Sequence, residues 1–124
     1  MIIRGKVVRG LGIGKKLGYP TANLKLSFVY RTKLSFRRLP GVYAARATVD
    51  GAPHDAVAVI GARFENGQPL LEVHFLDFSG ELRGKELEVE VLDKVSEIEI
   101  FKNEIELKKK IAEDIRKVRL CLRG

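Results

Sequence analysis

One cysteine, Cys121, in a chain of 124 residues rules out an intrachain disulfide and any multi-cysteine zinc site. The thiol is expected to pack inertly. No stretch approaches the roughly 20 apolar residues that a membrane span requires. The opening Met1-Ile2-Ile3-Arg4-Gly5 lacks the apolar region and small-residue cleavage site of a signal peptide. Neither membrane insertion nor export is expected, and a cytoplasmic address follows by default. Internal repeats, low-complexity tracts and Pro/Gly-rich linkers are also missing, and the length suits one core, so residues 1–124 are read as a single domain.

Acidic residues are nearly absent from the first 50 positions, where 11 Lys/Arg face only Asp50. Residues 51–100 reverse this with 4 Lys/Arg against 11 Asp/Glu, and the last 24 carry 8 against 4, giving the formal charge of +7. A basic half followed by an acidic middle suits a site with a polyphosphate on one wall and carboxylates on another. It suits a uniform nucleic-acid-binding face less well.

Turn signals punctuate short apolar runs, the pattern of an all-β domain. Ile2 to Val8 reads as a first strand, ended by Gly10, Gly12, Gly14 and Gly18. Gly41 to Val49 is a long strand closed by the hairpin signal Asp50-Gly51, and Ala56 to Ile60 returns from it. Asn66-Gly67 marks the next hairpin. Leu71, Val73 and Phe75 then alternate with Glu72, His74 and Leu76, so Glu72 and His74 share one face of a strand. Ser79-Gly80 begins a further turn, and Leu87, Val89 and Val91 alternate with Glu88 and Glu90. Consecutive hairpins of this kind suggest a meander. Asn103 followed by Glu106 resembles a capping box, and Leu107, Ile111, Ile115 and Val118 recur at helical spacing. The expectation is mainly β: about six antiparallel strands closed into a barrel, which hides the sheet edges, with one C-terminal α-helix packed beside it.

The densest chemical signal is the run from Arg9 to Leu24. Glycines at 10, 12 and 14 let backbone N–H groups converge on an anion, and Lys15 and Lys16 supply countercharge. A Walker loop is excluded because Gly14-Lys15 is followed by Lys16 rather than Ser or Thr. A Rossmann fingerprint is excluded because the spacing is G-x-G-x-G, Pro20 follows, and no acid precedes Asp50. Pro20 fixes the backbone before Thr21 and Asn23, two hard oxygen donors two residues apart that suit Mg²⁺ shared with phosphate oxygens.

Plainer readings stand beside these. Glycine-rich turns join strands in proteins that bind nothing, and Thr21 and Asn23 could make only local turn hydrogen bonds. By periodicity alone Glu72 is one solvated strand carboxylate among many, and His74 either lines the same face or plays a structural role. Lys108 to Lys110 reads as a solvated helix face. Phe28, Tyr30 and Phe36 among Arg31, Lys33, Arg37 and Arg38 fit either a single-strand nucleic-acid binder or a flap over a ligand.

The run Gly-x-Gly-x-Gly-Lys-Lys-Leu-Gly-Tyr-Pro-Thr-Ala-Asn-Leu, residues 10–24, resembles the signature of ATP-dependent riboflavin kinases, including the kinase module of bifunctional FAD synthetases. Leu39-Pro40-Gly41-Val42-Tyr43-Ala44, the strand Leu71 to Phe78, and Phe101 with the following helix extend the likeness across nearly the whole chain. The resemblance implies a six-stranded antiparallel Greek-key β-barrel with a C-terminal helix, and transfer of the γ-phosphate of ATP to the 5'-hydroxyl of riboflavin to give FMN. It assigns Gly10, Gly12, Gly14, Lys15, Lys16, Pro20, Thr21 and Asn23 to the nucleotide, Thr21 and Asn23 also to Mg²⁺, and Glu72 as catalytic base. Riboflavin/FMN and ATP/ADP are the implied partners of a monomer, with neither membrane nor nucleic acid expected.

The departures from the family pattern cluster on the flavin side, at Gly61-Ala62-Arg63-Phe64-Glu65, Arg83-Gly84, Ser96 and Ile98. No adenylylating module precedes the domain, so a bifunctional FAD synthetase is not expected. The alternatives are a non-catalytic flavin- or nucleotide-binding module and a basic small-barrel nucleic-acid binder.

Overall fold

The computed structural model describes residues 2–7, 21–25, 40–65, 67–78, 82 and 84–123. Six antiparallel strands are present: β1 (Ile2–Lys6), β2 (Thr21–Lys25), β3 (Gly41–Val49), β4 (Ala52–Glu65), β5 (Gln68–Phe75) and β6 (Glu86–Ser96). Among the described residues one helix, α1 (Glu104–Arg123), follows. The sheet order is β1-β6-β3-β4-β5-β2, and the edge strands β1 and β2 approach each other so that the sheet nearly closes on itself.

The three strands β3, β4 and β5 form the expected meander, but β6 does not continue it. It returns beside β3, giving the spatial order β6-β3-β4-β5 of a Greek key. The β3–β4 hairpin turns through Asp50 and Gly51, both at positive φ (49° and 83°), the backbone pairing of a type I′ turn. Because the turn needs only two residues, β4 begins at Ala52, four residues earlier than the sequence reading placed it. The Ser79-Gly80 turn lies outside the described residues.

Alternation along the strands sorts the side chains into two sets. Ala22, Leu24, Ala45, Ala47, Ala56, Ala58, Ile60, Leu71, Val73, Phe75, Leu87 and Val89 point inward and fill the barrel. Many are alanines, which suits a narrow lumen. On the outer face, Val42, Ala44 and Val57 pack against Ile115 and Val118 of α1, with Val59, Leu92, Val95, Ile111 and Cys121 at the margins. Cys121 is thus packing, as expected, and burial is the first cause of its raised thiol pKa.

Two polar devices fix the helix. At its start, the Glu106 backbone N–H donates to Asn103 Oδ1 at 2.9 Å, the expected cap. Midway, Lys110 Nζ donates to Asp114 Oδ2 (2.6 Å) and to Ser96 Oγ (2.8 Å), and Ser96 Oγ donates to Asp114 Oδ1 (2.6 Å). Lys108 and Lys109 are solvated, as read from the sequence. Lys110 is not: it belongs to this partly buried triad linking α1 to the end of β6.

Candidate active site

The register of the sheet builds the site. Asn23 on β2 lies opposite Glu72 on β5, and Thr21 lies opposite His74. On the other side of β5, Glu72 faces Val59 and His74 faces Val57 of β4. Period-two alternation puts Asn23, Glu72 and His74 on the outer face, because Ala22, Leu71, Val73 and Phe75 occupy the inner one. With Thr21 the three form a two-by-two block on two paired strands, next to the apolar patch covered by α1.

Glu72 is not a solvated strand carboxylate. It is 7% exposed, as is His74, and Asn23 is 3% exposed. Water does not compensate their polarity, so protein or ligand must. His74 Nε2 lies 3.3 Å from Glu72 Oε2. Asn23 Oδ1 is buried and accepts no hydrogen bond among the described residues. A buried amide oxygen without a hydrogen bond calls for an explanation, and a bound water, ligand or ion is one.

That oxygen fits Mg²⁺. The ion takes hard oxygen donors and is held through few protein ligands, with water and phosphate oxygens completing its shell. No cluster of three or more His, Cys, Asp or Glu able to hold a metal occurs among the described residues. An all-protein cage is therefore not what the block offers; an oxygen donor beside a carboxylate is.

The remaining nucleotide candidates, Gly10, Gly12, Gly14, Lys15, Lys16 and Pro20, lie outside the described residues, as do Phe28, Tyr30, Phe36 and the basic positions between them. Of the flavin-side departures, Ser96 is engaged in the triad with Lys110 and Asp114.

Two features escaped the sequence reading. One is that Thr21 to Lys25 is a strand, although Thr-Ala-Asn-Leu alternates polar and apolar at period two. The other is the contact between His74 and Glu72, whose i, i+2 spacing on a strand was its only trace.

The fold is a small antiparallel Greek-key barrel that sets a buried carboxylate and an amide oxygen opposite each other on two paired strands. The family model for riboflavin kinase (Flavokinase) matches residues 1–122, and the chain belongs to that family. It is 36% identical over 118 residues to a bifunctional riboflavin kinase/FMN adenylyltransferase of Pseudomonas fluorescens, covering 91% of this chain and 35% of that protein. It is 37% identical over 117 residues to the RNA-binding riboflavin kinase RibR of Bacillus subtilis, covering 92% and 48%. The chain thus spans between a third and a half of these relatives. Among solved structures, a protein of Streptococcus pneumoniae described as a macrolide-efflux protein superposes with a TM-score of 0.78 at 28% identity, covering 95% of this chain and 38% of that one. The riboflavin kinase of Trypanosoma brucei superposes at 0.70 with 24% identity, covering 99% and 80%, which supports the fold. No helix among the described residues is long and apolar enough to cross a membrane.

Proposed function

We propose that this chain is an ATP:riboflavin 5'-phosphotransferase, acting as one cytoplasmic, monomeric domain. The observation that carries the reading is the buried carboxylate of Glu72 in register with the orphaned oxygen of Asn23, in a chain of the riboflavin kinase family.

Phosphoryl transfer leaves a protein little covalent chemistry to perform; its tasks are in-line positioning and stabilisation of charge. Glu72 acts as general base: it takes the proton of the ribityl hydroxyl as that oxygen forms its bond to the γ-phosphorus and the bond to the β-phosphate oxygen breaks. Asn23 and Thr21 would hold Mg²⁺ together with the nucleotide. When bound, the ion would offset negative charge on the nucleotide phosphates. Gly10, Gly12 and Gly14 are assigned from the sequence to the nucleotide phosphates, Lys15 and Lys16 to their countercharge, and Pro20 to the same nucleotide site. Burial of Glu72 keeps the base away from water that would compete for the phosphoryl group.

The test is chromatographic detection of FMN from riboflavin, with ATP or CTP as donor and with Mg²⁺ or EDTA. A Mg²⁺-dependent product is expected. Glu72→Gln keeps the shape of the side chain but cannot take the proton, and should lower kcat by about 10²- to 10⁴-fold with nucleotide binding retained. Near-normal turnover in that variant would remove Glu72 from its role. No FMN from folded protein under any condition would leave a non-catalytic binding module.

A further inference from the structure

We infer that His74 is a positioning residue for the base: its Nε2–H donates to Glu72 Oε2 and sets the direction in which the carboxylate meets the substrate hydroxyl. The kinetic part of this inference rests on the kinase reading above; the contact itself does not.

His74 Nε2 and Glu72 Oε2 are 3.3 Å apart, and both side chains are buried. An ionised carboxylate only accepts, so the bridging proton belongs to the imidazole. Residues i and i+2 of a strand stand about 7 Å apart along the chain. Contact at 3.3 Å therefore requires the two side chains to lean toward each other. Glutamate has three rotatable bonds, and one fixed donor removes much of that freedom. The backbone that carries the ring is fixed in turn, because His74 sits in register between Thr21 of β2 and Val57 of β4. A base held this way presents its carboxylate in one orientation, the condition under which proximity is effective and whose loss costs about 10²-fold for a misplacement near 1 Å.

The geometry distinguishes the two ring nitrogens, and two amide variants exploit that. Glutamine places its amide nitrogen near the position of Nε2, asparagine near that of Nδ1. His74→Gln should retain most of kcat. His74→Asn and His74→Leu should each lose on the order of 10- to 100-fold in kcat, with the KM values for ATP and riboflavin nearly unchanged. In a Glu72→Gln background His74→Leu should cause no further loss, since the two residues act as a unit.

Equal activities of the Gln and Asn variants, or full additivity with Glu72→Gln, would overturn the inference. Independently of turnover, the Nε2-bound proton of His74 in the ligand-free protein should shift in imidazole ¹⁵N–¹H spectra on Glu72→Gln. An unmoved signal overturns the contact. Absence of FMN formation by the unsubstituted protein overturns the kinase reading and the role in turnover, while the spectrum still decides the contact.

Discussion

The outer face of the barrel has two halves made from the same strand geometry and put to opposite uses. One row across the sheet runs Ser96, Val42, Val59, Glu72, Asn23 on β6, β3, β4, β5 and β2. The next runs Ala44, Val57, His74, Thr21. Where the rows cross β3 and β4 they are apolar and lie under Ile115 and Val118. At Glu72, His74 and Asn23 they are polar yet also buried. Valine and alanine under a helix stabilise the fold by leaving water. The buried carboxylate of Glu72 and the amide oxygen of Asn23, which accepts no hydrogen bond among the described residues, gain nothing by leaving water, and the proposed function gives both a use in ligand chemistry. The two halves should therefore respond oppositely to substitution.

The covered half should show the largest loss of stability at its polar clamp. Asp114→Ala removes the carboxylate from Lys110 and Ser96, leaving a partly buried ammonium without its counter-ion. Breaking such a pair costs about 3–5 kcal/mol, to be read as a lower denaturant midpoint. Lys110→Met combined with Asp114→Leu removes both charges and should recover most of that loss. If Asp114→Ala alone shifts stability by less than about 1 kcal/mol, the triad does not hold the helix as the distances imply. A smaller loss is expected for Val118→Ala. Val118 is fully buried between α1 and the sheet, and deleting two methyl groups there should cost about 1–3 kcal/mol. With FMN formation as the second readout, kcat should stay unchanged at temperatures where the variant is folded. A large kcat effect would mean that the halves are coupled rather than separate.

What could be read from the chain follows the same division. Period-two alternation and the turn residues define β3, β5 and β6, since local sterics dictate both. Asn103 and the spacing of Ile111, Ile115 and Val118 define α1 for the same reason. The Greek-key return of β6 to β3 is a long-range pairing, and only the family resemblance supplied it. Glu72 and Asn23 were legible as candidates, Glu72 only through the family resemblance. Their burial and mutual register were not, since those depend on which strand β2 chooses as partner. The Lys110 reading failed for a related reason: three consecutive lysines on a helix necessarily span different faces, and the one facing Ser96 is distinguished only by tertiary contact.

The smallest expected effect on stability, and the one that separates the two halves most sharply, is at Asn23. Its Oδ1 is buried without a hydrogen bond among the described residues, so in the ligand-free protein it carries a desolvation cost that folding does not recover. Asn23→Leu removes that oxygen at similar volume. Stability should change by no more than about 1 kcal/mol, and toward the more stable side. Function should move the other way. Changes to the outer partners of a metal ligand alone reduce metal affinity by about 10- to 100-fold, so loss of the oxygen proposed to hold the ion should raise the Mg²⁺ concentration for half-maximal FMN formation by at least that much. A variant less stable than its parent but with unchanged Mg²⁺ dependence would place Asn23 with the valines, as part of the packed wall, and would leave the orphaned oxygen to be explained by a hydrogen bond within the fold.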